Sequence, residues 1–144
     1  MTSTSNVIVE GTLPERRHDG DAGFDCRARV DGPVTIVPGA RVKVPLGFRM
    51  ELPAGKVGLL FARSGLAAKN GIEMANGVGV IDSGYRGEVC ALLHNISLEP
   101  FVVENGDRVC QLVVMDVPEV YMVTATVSRN SQRGDGGFGS TGTK

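Results

Sequence analysis

The chain has 144 residues, a length that suits one domain. A domain of this size buries roughly 68–70% of its unfolded surface, so neither a disulfide nor a metal is needed to hold it together. Its 15 Lys and Arg against 16 Asp and Glu give a formal charge of −1, which excludes a nucleic-acid binder working by bulk charge and leaves open a small anionic ligand held by a few placed arginines.

The start, Met1-Thr-Ser-Thr-Ser-Asn6, has no basic and no apolar region, so no signal peptide is expected. No apolar run comes near the ~18 residues of a membrane span, so no membrane partner is expected. The next chemistry-bearing residues are cysteines and histidines. Cys26, Cys90 and Cys110 are odd in number and far apart, and His18 and His94 are isolated. Core or surface filler is the plain reading, not a disulfide framework or a zinc cluster, and a reducing, cytoplasmic setting fits.

From Arg41 to Leu52 the residues Val42, Val44, Leu46, Phe48, Met50 and Leu52 alternate with polar or small ones, the period of a half-buried strand. Pro53-Ala-Gly55 turns the chain, and Val57, Leu59 and Phe61 begin a second alternation. Gly65-Leu-Ala-Ala-Lys-Asn70 is rich in helix formers, with Ser64 where an N-cap would stand and Gly71 just past the end, so one or two helical turns are predicted. Glu88–His94, Phe101–Val103, Arg108–Val117 and Val120–Val127 read as further strands between Gly, Pro, Asn and Asp. Many short strands at this spacing predict an all-β sandwich or barrel, and the lack of a ~30-residue βαβ unit disfavours a dinucleotide fold. Residues 1–127 are read as the domain. Residues 128–144 hold five glycines, two arginines, no aliphatic residue and a lone Phe138, which reads as a mobile tail. A disordered terminus would explain the composition, but the lone Phe138 favours a lid that orders on a ligand.

Four clusters carry chemistry. Asn76-Gly-Val-Gly-Val-Ile81 followed by Asp82-Ser-Gly-Tyr-Arg-Gly87 suggests a tight hairpin with an open backbone and a carboxylate at its shoulder. Asp82 there would orient and deprotonate a water, or simply close an Asx turn. Arg63-Ser-Gly65 at a helix start is a phosphate seat or, equally, a capped helix with an exposed arginine. In Gly106-Asp-Arg-Val-Cys-Gln-Leu112, Gln111 alternates in phase with Val109 and Val113 and so needs polar partners on an apolar face, either as a satisfied core amide or in a site. Arg133-Gly-Asp-Gly-Gly-Phe-Gly-Ser-Thr-Gly142 offers backbone N–H groups, hydroxyls and a guanidinium for phosphates and an aromatic face for a ring. It is not a Walker A loop. Together these describe a site that binds or hydrolyses a nucleoside triphosphate.

These clusters, with Ala22-Gly-Phe-Asp25, resemble in order the five motifs of the trimeric deoxyuridine triphosphatase (dUTPase) family, over almost the whole chain. The resemblance implies a jelly-roll-like β-barrel or β-clip with one short helix and a Gly-rich C-terminal tail. It implies Mg²⁺-dependent cleavage of dUTP to dUMP and pyrophosphate, removing dUTP and supplying dUMP for dTTP synthesis, by a homotrimer whose subunits share each site. By carry-over, Asp82 activates the attacking water, and Asp25 holds a metal-bound water. Tyr85 packs on deoxyribose and refuses a 2′-hydroxyl. Asn76, Gly79, Val80, Ile81 and Cys90 bind uracil and leave no room for a 5-methyl group. Arg63, Ser64, Gly65 and Gln111 hold phosphates. Arg133, Phe138, Gly139, Ser140 and Thr141 close over the ligand, with Phe138 on uracil.

Ala62 stands where many members have Pro, and Gly84 where many have an acidic residue. The related dCTP deaminases share the fold and are the natural rival. Their general-base glutamate falls at Leu92 in this chain, and leucine cannot move a proton. A non-catalytic or capsid-like β module is a third reading, disfavoured by Asp82, Tyr85, Gln111 and Arg133.

Overall fold

In the computed structural model, which describes residues 4–144, the elements follow as β1 (Ile8–Gly11), β2 (Phe24–Arg27), β3 (Val34–Ile36), β4 (Arg41–Pro45), β5 (Phe48–Glu51), β6 (Lys56–Phe61), α1 (Ser64–Asn70), β7 (Ile72–Met74), β8 (Gly79–Ile81), β9 (Cys90–Asn95), β10 (Phe101–Val103) and β11 (Arg108–Asp116). The chain is therefore mostly β with one short helix, the predicted class. The strands form an antiparallel sheet in the order β2-β11-β6-β8, a second in the order β4-β9-β7, and the pairs β1-β5 and β3-β10. No sheet closes on itself, so the barrel is open among the described residues.

The alternation from Arg41 to Leu52 sends Val44, Leu46, Phe48, Met50 and Leu52 inward, each buried. It belongs to two strands, not the single one its unbroken period suggests. Gly47 stands between them at φ +75°, a left-handed conformation that glycine adopts without steric cost. The chain bends there, so β4 pairs with β9 while β5 pairs with β1. The bend is tight: Thr12 N–H donates to Gly47 O at 2.8 Å, and a Cβ on Gly11 would fall 2.2 Å from that oxygen. Ile36, Leu46, Ile72, Leu93, Val103 and Val109 meet in one core. Asn95 is fully buried with them, and its amide donates to Ile36 O at 2.8 Å and Glu99 O at 2.7 Å, which satisfies a group that would otherwise be costly to bury.

β11 carries a bulge between Arg108 and Cys110. One extra residue lets both Val109 and Cys110 sink into the core and reverses the alternation beyond them. Cys110 and Leu112 then face inward. Gln111 faces away from them, not together with Val109 as an unbroken period requires.

Three further expectations differ. Ser64 is the first residue of α1 and Arg63 is its N-cap, with no side-chain capping bond, whereas Gly71 ends the helix in the left-handed conformation at φ 63° as predicted. Asn76–Ile81 is not a self-paired hairpin. β7 pairs with β9 and β8 with β6, so the turn between them passes the chain from one sheet to the other. Val120–Val127 forms no strand. No strand edge of the same chain accepts it, and Val120, Tyr121, Met122, Val123 and Val127 are left exposed. No described helix is long and apolar enough to cross a membrane.

Candidate active site

The first half of β11 and the start of α1 build one cavity. Gln111 lies opposite Asp25 on β2 and opposite Phe61 on β6. Its amide donates to Ala62 O at 3.1 Å. Its other end lies against Gly23, where a Cβ would sit 2.2 Å from Gln111 Oε1. The glycine of Ala22-Gly-Phe-Asp25 is thus required by a glutamine of β11, a long-range contact behind a local motif.

Asp25 is largely buried and held from both sides: Oδ1 lies 3.3 Å from Arg63 Nε, and Oδ2 lies 3.7 Å from Arg108 Nη1. Arg63 Nη1 also donates to Arg108 O at 3.2 Å, so its guanidinium is fixed along the cavity wall. Asp25, Arg63, Ser64, Gly65 and Gln111 line this cavity of about 380 Å³ together with Arg17, His18 and Asp21. Sequence reasoning missed the last three. The charged run Glu15-Arg-Arg-His-Asp-Gly-Asp21, directly before a motif, was the available signal.

A second cavity, about 320 Å³, opens where the sheets part. β8 is an edge strand, bonded to β6 on one side only, and the last bond from the β7 side to β9 is Ala75 N–H to Leu92 O at 2.8 Å. The backbone of Gly79–Ile81 therefore faces a gap bounded by Cys90 and Leu92, a slot with main-chain donors and acceptors free for a planar polar ligand. Asn76 and Tyr85 also line it. Tyr85 folds back so that its hydroxyl donates to Glu88 O at 2.9 Å, and a Cβ on Gly87 would fall 2.3 Å from that hydroxyl. Lys43 and Glu88 complete the wall and were not foreseen. Burial, assisted by the Glu88 charge and opposed by Lys43, raises the pKa of the Cys90 thiol, so the thiol is uncharged at ordinary pH.

Asp82 lies in neither cavity. It is exposed on a third crease, beside Val80, Ser83 and the segment Val117–Glu119. Only its carbonyl is engaged, accepting from Tyr85 N–H at 3.1 Å, so the carboxylate is free to act outward. The tail residues Arg133, Phe138, Gly139, Ser140 and Thr141 reach none of these cavities. Bonds within the tail are local, such as Arg133 Nε to Gly136 O at 2.7 Å. Among the described residues no hydrogen bond or ion pair joins 128–144 to the body. Phe138 is fully exposed and adopts φ 50°, the one described residue other than glycine with a positive φ. That combination is costly for an unliganded aromatic.

Among the described residues no three His, Cys, Asp or Glu side chains cluster as metal ligands. Asp25 and, nearer the mouth, Asp21 offer hard oxygen donors in the first cavity.

Comparison with known proteins agrees with this architecture. A sequence profile of the dUTPase family matches residues 9–142. The deoxyuridine 5′-triphosphate nucleotidohydrolase of Rhizobium etli (strain CIAT 652) is 48% identical over 132 residues, covering 90% of this chain and 85% of its own. That of Desulfitobacterium hafniense (strain DSM 10664 / DCB-2) is 50% identical over 131 residues, covering 90% and 87%. Among solved structures, a mutant dUTPase of Staphylococcus bacteriophage 80alpha with dUpNHpp superposes with a TM-score of 0.84 at 27% identity, covering 97% of this chain and 100% of that one. The dUTPase of Streptococcus mutans superposes at 0.71 with 30% identity, covering 79% and 98%. A profile that spans nearly the whole chain, and relatives at about half identity across most of it, place this protein in the dUTPase family.

Proposed function

We propose that this protein hydrolyses dUTP to dUMP and pyrophosphate, that Mg²⁺ assists, and that the complete site is shared between subunits of a homotrimer. The observation that carries the reading is the division of the site. The side chains suited to phosphates, the backbone slot suited to a base and the free Asp82 carboxylate occupy three separate places on one chain. The phosphate cavity shares no lining residue with the other two places, which meet only at Val80, and in this reading neighbouring chains supply the missing parts. The exposed apolar run at Val120–Val127 supports association, because such a segment gains stability only when another chain covers it.

In this reading the triphosphate lies along Arg63, Ser64, Gly65 and Gln111. The first N–H groups of α1 have no intrahelical partner and point at it. Uracil enters the slot between β8 and Cys90, where main-chain groups of Gly79–Ile81 read its carbonyls and its N–H, with Asn76 alongside. In this reading the wall formed by Cys90 and Leu92 refuses a 5-methyl group by shape. Tyr85 stands under deoxyribose, with no space for a 2′-hydroxyl.

Asp82 takes a proton from a water whose oxygen attacks the α-phosphorus. The bond from that phosphorus to the α,β-bridging oxygen breaks, and pyrophosphate leaves with the bridging oxygen. The tail then serves as a lid, residues 128–144 closing as a unit over the body, with Arg133 on the outer phosphates, Gly139, Ser140 and Thr141 lending N–H and hydroxyl donors, and Phe138 stacked on the base.

The donor set fits Mg²⁺ held chiefly by phosphate oxygens and water. A carboxylate such as Asp25, already paired with two arginines, is suited to holding a metal-bound water, not to forming a cage. When bound, Mg²⁺ neutralises phosphate charge and orients the chain for attack.

Removal of dUTP and supply of dUMP for dTTP synthesis, in a cytoplasmic setting, follow from this chemistry. Pyrophosphate release measured against dUTP, dTTP, dCTP and UTP with Mg²⁺ tests it. Release from dUTP alone is expected, with mass by light scattering corresponding to three chains. Ammonia release from dCTP, or no release from dUTP, overturns it.

A further inference from the structure

Between β1 and β2 the chain leaves the sheets and returns, and the loop is pinned at its base by Glu15 and Asp25, whose main chains exchange hydrogen bonds of 3.2 and 2.8 Å. Two features stiffen what lies between. His18 N–H donates to Asp21 Oδ2 at 3.1 Å while Asp21 N–H donates back to His18 O at 3.2 Å. Gly20 supplies the left-handed turn at φ +86°. Such reciprocal bonding fixes a corner at little entropic cost once formed.

Two arginines enter this corner and part company. Arg16 lays its guanidinium 4.4 Å from the centre of the Phe24 ring and lines a different cavity with it. Arg17 lines the cavity itself. There it is the cation with no assigned partner. Arg63 is engaged by Asp25, and Asp21 has an oxygen taken by His18 N–H, whereas Arg17 has no carboxylate within 4.0 Å among the described residues. Arg17 is exposed at the mouth, and the Asp25 carboxylate is largely buried at the floor. A polyphosphate carries more negative charge than the floor can balance, and a guanidinium fork matches phosphate oxygens two at a time.

We propose that Arg17, held by the His18–Asp21 corner, binds the phosphates beyond the first and so distinguishes a nucleoside triphosphate, and the pyrophosphate it releases, from a nucleoside monophosphate. This rests on the reading of the cavity as the dUTPase phosphate seat, and it adds a residue that none of the motif clusters contains. Nothing in the step of bond cleavage passes through Arg17; it is a binding residue.

The full-length protein is compared with R17Q, R17K and D19N, the last as a neighbouring charge that does not line the cavity. For R17Q the KM for dUTP and the inhibition constant of pyrophosphate are expected to rise about tenfold, the loss of one charge-assisted contact. The inhibition constant of dUMP stays within about twofold, because dUMP has no outer phosphates, and R17K recovers part of the loss. D19N matches the parent. Circular dichroism and melting temperature unchanged in R17Q exclude a folding defect. Pyrophosphate and dUTP constants within twofold of the parent overturn the proposal, and so does a dUMP constant that rises as much as that of pyrophosphate. Calorimetric titration of pyrophosphate alone reads the same contrast without turnover, so a parent protein inactive on dUTP overturns the hydrolysis reading while this comparison still decides the role of Arg17.

Discussion

The two cavities are made by opposite means. The one between β11 and α1 is built from side chains: Asp25, Arg63 and Arg108 hold one another in place over 3.2–3.7 Å, and Gln111 is tied to the Ala62 carbonyl at 3.1 Å. The one between β8 and β9 is built mainly from what the backbone leaves unpaired at a sheet edge. The difference teaches where selectivity resides. Charge recognises phosphate and accepts many geometries, whereas a rigid main-chain slot tests the outline and the donor pattern of a base. Substitution is therefore felt differently on the two sides, and the Asp82 carboxylate, on a crease of its own, should be the most sensitive point.

Asp82→Asn is expected to have the largest effect. A positioned general base contributes ~10²–10⁴-fold, so turnover should fall by about 10³ while dUTP still binds. Melting temperature should hold, since only the Asp82 carbonyl is bonded. Near-parent turnover in this variant would remove the assigned role.

Ending the chain after Ser128 comes next. Activity should drop by about 10² as lid closure is lost. Thermal unfolding and oligomer mass should not change, because no hydrogen bond or ion pair joins tail to body among the described residues. A protein that dissociates on truncation would make the tail structural.

On the side-chain cavity, Gly23→Ala brings a Cβ to 2.2 Å from Gln111 Oε1 and must displace that amide, so kcat/KM should fall by about tenfold or more, with stability lowered by ~1–3 kcal/mol. Gly65→Ala sharpens the contrast. Its Cβ meets nothing within 4 Å, so the fold should accept it, and a loss of dUTP affinity there would report ligand backbone approach, not packing.

The smallest effect is expected on the backbone side. Gly87→Ala pushes against the Tyr85 hydroxyl at 2.3 Å and should tilt the ring. Discrimination between dUTP and UTP should weaken several-fold, within the ~1–3 kcal/mol range of a shape-based pocket. Unchanged discrimination would show that Tyr85 does not face the sugar.

Much of this was legible in the sequence, for reasons that differ by region. The phosphate cavity could be read because arginines, a glutamine on an apolar strand and a helix start announce themselves locally. The β class, β6, β10 and β11 followed from period and punctuation. The unbroken alternation at Arg41–Leu52 concealed a corner, since Gly47 turns the chain without interrupting the pattern. β1, β2, β3 and β7 are three or four residues long, too short for any period to declare itself. The slot at β8 was misread as a hairpin because pairing with β6 is non-local. Val120–Val127 has strand composition and no strand, because composition specifies an appetite for a partner and not which chain supplies it.

The bulge in β11 makes this stretch unforgiving in one respect only. Chemically similar replacements at Val109, Cys110 or Leu112 trade volume against volume, but loss of a single residue there would turn the strand inside out. Gln111 would be driven into oil and a cysteine or leucine presented to the nucleotide. Natural variation in this protein should thus spare the length of that segment far more strictly than its spelling.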